Sequence, residues 1–290
     1  MDIDVWLLFA VCSAVFAGLT SILAKCGLQN VDSTVVTALR TAVAMVFAWA
    51  IVFISGSYSD IGSISTRGWV FLILSGLSTG ASWLCYFKAL QIGNVNKVVP
   101  VDKSSNVLAI ILAIIILGET ISVWGAIGVA IILVGTMLMI ERKDMDDVKG
   151  ENPGWLLFAI GSAVFAALTS ILGKVGMEGI DSNLGTAIRT VVVLLMSWLM
   201  IIVTKKQDGI KDIGRKDAVF IISSGLATGA SWMFFFAALQ MGPASVIIPI
   251  DKLSILVVVA FAYIVFKERL SRKAVVGLAG IVAGTLLLLV

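Results

Sequence analysis

Two short stretches place an acid and a base side by side within strongly apolar sequence. They are VVPVDKSSN at residues 98–106 and IIPIDKLSI at residues 247–255, which carry Asp102–Lys103 and Asp251–Lys252. Two arginines, Arg40 and Arg189, stand in similarly apolar surroundings. At the centre of a membrane helix an ionisable group costs at least about 2.5–3.5 kcal/mol, so such groups face a protein interior or a watery cavity and mark pathways. Two chemistries are open to these acids. Burial raises a carboxyl pKa into the range where it loads and releases protons, whereas a facing Lys or Arg lowers it and favours a permanent ion pair.

Depth counting suggests partners. Arg40 and Asp102 each fall roughly two turns, about 11 Å, into helices that start from one surface. Arg189 and Asp251 repeat this at the mirror depth. Neighbours on a helix point about 100° apart, so Asp and Lys of each dipeptide do not look at one spot. The expected pairs are Asp102–Arg40 and Asp251–Arg189, leaving Lys103 and Lys252 nearer a cavity; the reverse assignment fits the same spacing. Trp83 and Trp232 fall near mid-span, away from the interfacial belts usual for Trp, where they could stack on a flat or cationic ligand. Asn106 follows Asp102 by one helical turn, and Tyr86 and Asn106 stand where the second copy has Phe235 and Ile255, so the first half is expected to supply more of the polar recognition. The candidate substrate- or ion-binding set is therefore Asp102, Lys103, Asp251, Lys252, Arg40, Arg189, Trp83, Trp232, Tyr86 and Asn106. Pro100 and Pro249 precede the acids by two residues and either start or kink their helices. Glu119 and Glu268 occupy short turns and suit a structural role at the next helix's N-terminus.

The elements that must position these residues follow from composition. Of 290 residues, 59% are hydrophobic and 13% charged, against about 25% charged in soluble domains. A spanning helix needs roughly 20 apolar residues. Ten such spans are expected, at 5–24, 34–54, 68–90, 95–117, 121–140, 154–173, 183–203, 217–240, 244–266 and 271–290, giving an all-α integral membrane protein. The segment WLLFAVCSAVFAGLTSILAK from Trp6 returns as WLLFAIGSAVFAALTSILGK from Trp155, and SGLSTGASW from Ser75 returns from Ser224 as SGLATGASW, an offset of 149 residues both times. The organisation is thus a first five-helix repeat at 1–140, a polar linker at 141–153 and a second repeat at 154–290. Five spans per copy is an odd number, so the second copy is inverted, the plan of secondary transporters with a midplane site. Lys205, Lys206, Lys211, Arg215, Lys216 and Lys267, Arg269, Arg272, Lys273 crowd loops whose mates carry one basic residue or none. The positive-inside rule then sets those loops in the cytoplasm and both termini outside.

The paired motifs FAGLTSILAK/FAALTSILGK, TALRT/TAIRT, TGASWLCYFKALQIG/TGASWMFFFAALQMG and VVPVDKSS/IIPIDKLS, with the acid in LGE and FKE, resemble the EamA-like branch of the drug/metabolite transporter superfamily. The resemblance spans the whole chain. It implies two fused inverted repeats and movement of a small metabolite, with export as its usual direction, and says little of the substrate. Many members are described with cytoplasmic termini, from which the charge pattern here departs.

The function expected is alternating-access transport of a small polar or amphipathic metabolite, with the proton as a candidate coupling ion, in the cell membrane. A flippase for a lipid-linked headgroup and a non-transporting membrane scaffold are the alternatives. The absence of histidine excludes His triads and His metal sites, and no nucleophile–base constellation suggests an enzyme. No cofactor and no nucleic-acid partner are expected. Cys12, Cys26 and Cys85 lack metal-site spacing. Membrane lipids are partners, and the chain is a monomer or a homodimer, with Gly128/Gly135 and Gly277/Gly284 as candidate dimer faces.

Overall fold

A computed structural model describes residues 5–27, 31–93, 95–139, 154–211, 213–265, 267 and 270–290. The polar linker 141–153 and Glu268 lie outside these residues. Twelve α-helices occur among them: α1 (Val5–Gly27), α2 (Ser33–Ser55), α3 (Thr66–Ile92), α4 (Val95–Lys103), α5 (Ser105–Leu117), α6 (Val123–Met139), α7 (Trp155–Gly176), α8 (Ser182–Thr204), α9 (Arg215–Met241), α10 (Ala244–Lys252), α11 (Ser254–Val265) and α12 (Arg272–Leu287). Short 3-10 turns at Ser57–Ser63 and Gln207–Ile210 follow α2 and α8.

Eight helical stretches are long and apolar enough to cross a membrane, counting α4 with α5 and α10 with α11 as one stretch each. The expected spans at 121–140 and 271–290 correspond to α6 and α12, of 17 and 16 residues. Both fall short of the roughly 20 residues that a bilayer core demands. Among the described residues, eight stretches are thus long and apolar enough to cross by length and composition, and the other two expected spans are the shorter helices α6 and α12.

Helix starts are set locally. Asp32 and Asp181, equivalent under the 149-residue offset, cap α2 and α8 by accepting from Thr34 N at 2.8 Å and from Asn183 N at 3.0 Å. Such side-chain acceptors satisfy amide groups that a helix start leaves unpaired. Asp32 also accepts from Lys206 Nζ at 2.7 Å. Its pKa is lowered: burial, the largest single influence, pushes it up, but the bonds from Lys206 and Thr34 together outweigh it.

Packing contacts come in reciprocal sets related by that offset. α3 lies along α7 as α1 lies along α9, and α2 meets α9 as α3 meets α8. Glycines make these approaches possible. A Cβ on Gly76 would lie 2.6 Å from Val192 Cβ, and one on Gly225 would lie 2.5 Å from Val43 Cβ. The GxxxG pairs of α3 and α9 are thus packing surfaces, against α8 and α2. α6 and α12 pack on each other, and a Cβ on Gly128 or Gly135 would meet the carbonyl oxygen of Gly284 or Gly277 at 2.5 and 2.6 Å. This corrects the expected dimer faces: those glycines are already covered within one chain.

The proline-bearing segments are broken helices. Pro100 and Pro249 sit inside α4 and α10, and the chain turns at Ser104 and at Leu253 before α5 and α11 begin. Proline has no N–H to bond back four residues, and each half-helix ends three residues after it, at the lysine of the Asp–Lys pair. Ser104 stabilises its own break: its N–H donates to Pro100 O and Val101 O, each at 3.2 Å, and its hydroxyl donates to Val101 O at 2.6 Å.

Candidate functional site

The break redirects the two acids. Asp102 Oδ1 accepts from Ser162 Oγ on α7 at 2.7 Å, and Asp251 Oδ1 accepts from Ser13 Oγ on α1 at 2.6 Å. The lysines fold back onto their neighbours, with Lys103 Nζ 3.6 Å from Asp102 and Lys252 Nζ 3.5 Å from Asp251. The expected pairs Asp102–Arg40 and Asp251–Arg189 are therefore not formed. Depth counting treated α4–α5 and α10–α11 as continuous, and it compared levels across the membrane without asking which neighbour each face meets. A long, flexible lysine also reaches back around the 100° that separates adjacent residues.

Arg189 turns instead to α3. Its Nη2 donates to Thr79 Oγ1 at 2.9 Å and its Nε to Ser75 Oγ at 3.3 Å. Its guanidinium carbon lies 4.1 Å from the ring centre of Phe236 and 5.6 Å from that of Trp232. The side chain is 1% exposed, and Nη1 has no hydrogen-bond partner. Among the described residues no carboxylate forms an ion pair with it. Arg40 is its equivalent, with its Nε likewise buried and unpartnered.

A cavity of about 290 Å³ opens beside Arg189. Six helices reach it: α1, α3, α7, α8, α9 and α10. Trp83, Trp232, Arg189, Asp251 and Lys252 of the predicted set line it, together with Phe235, Phe236 and small polar groups such as Thr79, Ser82 and Ser231. Asp102, Lys103, Arg40, Tyr86 and Asn106 are not in its wall. Asn106 is buried within α5, and Tyr86 packs edge-on against Phe87 at 5.8 Å. Lys88, near the end of α3, is exposed and donates to Gln91 Oε1 at 2.9 Å. It borders a separate cleft of about 580 Å³ with Lys205 and Lys206.

Hydroxyl groups were the part of the site that sequence reading passed over. Ser82 Oγ and Ser162 Oγ lie 3.3 Å apart, and their equivalents Ser231 and Ser13 lie 3.4 Å apart. Thr79 and Thr169 meet at 3.3 Å, as do Thr228 and Thr20. Ser75, Thr79 and Ser82 are spaced i, i+4, i+7, a single helical face, and that spacing is visible in the sequence.

One end of the assembly is closed. Glu119 Oε1 accepts from Ala244 N at 2.7 Å and Lys174 Nζ at 3.0 Å, and Oε2 accepts from Ser245 N at 2.8 Å. Glu119 thus caps a helix N-terminus, as its sequence position suggested, but that of α10 rather than of the following helix. Gly118, at φ 68°, occupies the left-handed conformation that turns the chain there, and its carboxyl neighbour's N–H bonds Ala113 O at 3.3 Å. Lys174 also donates to Gly242 O at 2.6 Å. Burial alone would raise the Glu119 pKa, yet the bonds from Ser245, Ala244 and Lys174 together hold it below its ordinary value. Beside it, Gln240 Nε2 donates to Met177 O at 2.7 Å and to Ile180 O at 2.6 Å. α10 packs on α5 at this end, and among the described residues α4 and α11 make no comparable contact.

Gln240→Leu removes both bonds and leaves two carbonyls of the α7–α8 turn without that donor. Each such loss costs about 1–3 kcal/mol. The expected result is a melting temperature several degrees lower in detergent; an unchanged melting temperature would contradict this role of Gln240.

These features define a multi-pass membrane protein with a polar cavity enclosed by helices from both copies of its repeated sequence. The sequence model of the EamA-like transporter family matches residues 4–141 and again 153–290; the chain belongs to that family. A Sinorhizobium protein described as an uncharacterized transporter in the cobO 3' region is 42% identical over 134 residues, which is 46% of this chain and 95% of that protein. Human solute carrier family 35 member G1 is 27% identical over 248 residues, covering 81% of this chain and 64% of the human protein. A crystal structure aligns with a TM-score of 0.79 over 99% of both chains at 14% identity, a likeness of fold alone.

Proposed function

We propose that this chain is a secondary transporter of the cell membrane, an exporter of a small polar or amphipathic metabolite, working by alternating access between two inverted five-helix halves. The observation that carries this reading is the cavity itself: helices of both matched segments supply its wall, and one end is closed by Glu119. A scaffold gains nothing from burying Arg189 beside open volume, because unpaired buried charge is costly. Loop charge supports cytoplasmic placement of the basic loops and external termini, which makes the closed end the outer one.

Proton coupling is assigned to Asp251, the acid in the cavity wall. The test is uptake into proteoliposomes by purified protein across a broad metabolite panel, with and without an imposed proton gradient. Expected is gradient-driven movement of at least one solute by the wild type. Asp251→Asn should lose at least about tenfold of the driven rate and keep solute exchange, as for a group that carries the coupled proton. If no solute moves, the transport reading falls; if Asp251→Asn follows the gradient like the wild type, the coupling assignment falls.

The cleft bordered by Lys88, Lys205 and Lys206 supports a second reading, a flippase for a lipid-linked headgroup, since basic pockets between membrane helices suit phosphate. Scrambling of a labelled anionic lipid in the same vesicles, lost on Lys88→Ala, would favour it.

A further inference from the structure

We propose that the cavity takes an organic monocarboxylate with a flat apolar body, its carboxylate neutralising Arg189. The inference rests on the transporter reading of the same cavity and names its substrate class. Three observations lead to it. First, guanidinium stays charged at any physiological pH, and Arg189 is buried with only neutral partners, the hydroxyls of Thr79 and Ser75. Nη1 lacks even those. Leaving a buried charge uncompensated costs several kcal/mol, so an anion arriving there gains more than it would from a surface lysine.

Second, the charges of the cavity wall do not cancel. Lys252 and Asp251 compensate each other at 3.5 Å, and Arg189 remains. One positive charge in excess matches one carboxylate. A dianion would face Asp251 with its second charge unpaired. Third, the remaining wall is aromatic: Trp83, Trp232, Phe235 and Phe236 offer faces and edges for a planar apolar body. In this conformation Trp232 and Phe236 lie over the guanidinium. Binding then exchanges a cation–π contact for a charge-assisted, planar carboxylate–guanidinium contact, the stronger of the two.

The experiment is a binding series on purified, full-length protein in detergent, read by isothermal titration and by thermal shift. The probes are 3-phenylpropanoate, its neutral amide, 2-phenylethylamine and benzylphosphonate. Expected is binding of the carboxylate at least about thirtyfold tighter than the amide, the low end for a buried charge pair losing one partner. The amine should be weakest, and the phosphonate, dianionic above its second pKa, weaker than the carboxylate. Arg189→Gln should lose the carboxylate-over-amide preference while Arg189→Lys keeps part of it. If Arg189→Gln does not fold, the wild-type series decides alone. An amide within about threefold of the carboxylate on wild-type protein, a tighter amine, or a tighter phosphonate would each overturn the proposal. Should vesicles carrying wild-type protein move other solutes while carboxylate and amide bind alike, the substrate class fails and transport stands. Vesicles that move nothing sink the transport reading first.

Discussion

Glu119→Ala unlatches the closed end and lowers the melting temperature of the purified protein by more than any other single change at that end. The carboxylate is the shared acceptor for one ammonium and two backbone amides. Its removal leaves Lys174, 20% exposed, facing only Gly242 O, and strips α10 of its cap. Breaking a fully buried pair from one side costs about 3–5 kcal/mol; this pair, with side chains 20% and 13% exposed, should cost less, and loss of a cap adds about 1 kcal/mol. Lys174→Met should cost less, because the two amide bonds survive. The charge reversal Glu119→Lys with Lys174→Glu should not rescue, since an ammonium cannot accept from Ala244 N or Ser245 N. Rescue by the reversal would show that only the ion pair matters. The same latch has a pH signature. A carboxyl whose folded pKa lies below its unfolded value contributes fully above the unfolded value, near 4.3, and loses its contribution as pH falls through the depressed one. Wild-type stability should therefore fall below about pH 4 more steeply than that of Glu119→Gln.

Gly128→Ala should be strongly destabilising, although it adds a single methyl group. In an ordinary helix interior this exchange stabilises by roughly 0.5–1 kcal/mol, because alanine has less backbone freedom to lose. At Gly128 the added Cβ would stand 2.5 Å from Gly284 O, a backbone atom that no rotamer can move aside. α6 and α12 must then separate along their length, and overpacking of this kind costs about 1–3 kcal/mol or more. Gly284→Ala meets Gly128 O at 2.6 Å and should behave alike. The double substitution should be less than additive, because one separation of the helices relieves both contacts. Gly62→Ala, with nothing within 4 Å of the new methyl, is the control. Melting curves and expression yield in the same membrane preparation measure all four. A Gly128→Ala protein as stable as the Gly62 variant would mean that the α6–α12 seam is not packed as described.

Much of this architecture was legible in the residue string. Apolar runs of membrane length predicted the long helices, and the packing found between them follows the constant 149-residue offset that marked the duplication. The tryptophans at mid-span, Arg189 and the Asp251–Lys252 dipeptide do converge on one cavity. What could not be read was direction within a level. Helical periodicity assigns depth and face only while the helix continues, and Pro100 and Pro249 end that continuity within one turn of the acids. The partners of Asp102 and Asp251 on neighbouring helices are serines, whose small hydroxyls carry no charge to attract notice. The helix that Glu119 caps lies more than 120 residues away in the chain, beyond any local capping rule.

The unequal treatment of the two ends bears on energetics. The residues that make the contacts of the closed end have sequence equivalents under the 149-residue offset: Glu268 for Glu119, Lys25 for Lys174, Gln91 for Gln240 and Val95 for Ala244. Were the two copies identical, exchanging their conformations would give a second state of equal free energy, closed at the other end. The preference between such states can then come only from positions where the copies differ and from the asymmetry of the membrane itself. Lys88/Ala237, Tyr86/Phe235, Asn106/Ile255 and Gly118/Lys267 are such positions. Lys267 adopts φ 54° where its counterpart is glycine, a conformation that costs a side-chain-bearing residue about 1 kcal/mol or more. The resting bias of this duplicated chain is thus encoded in its mismatches rather than in its motifs.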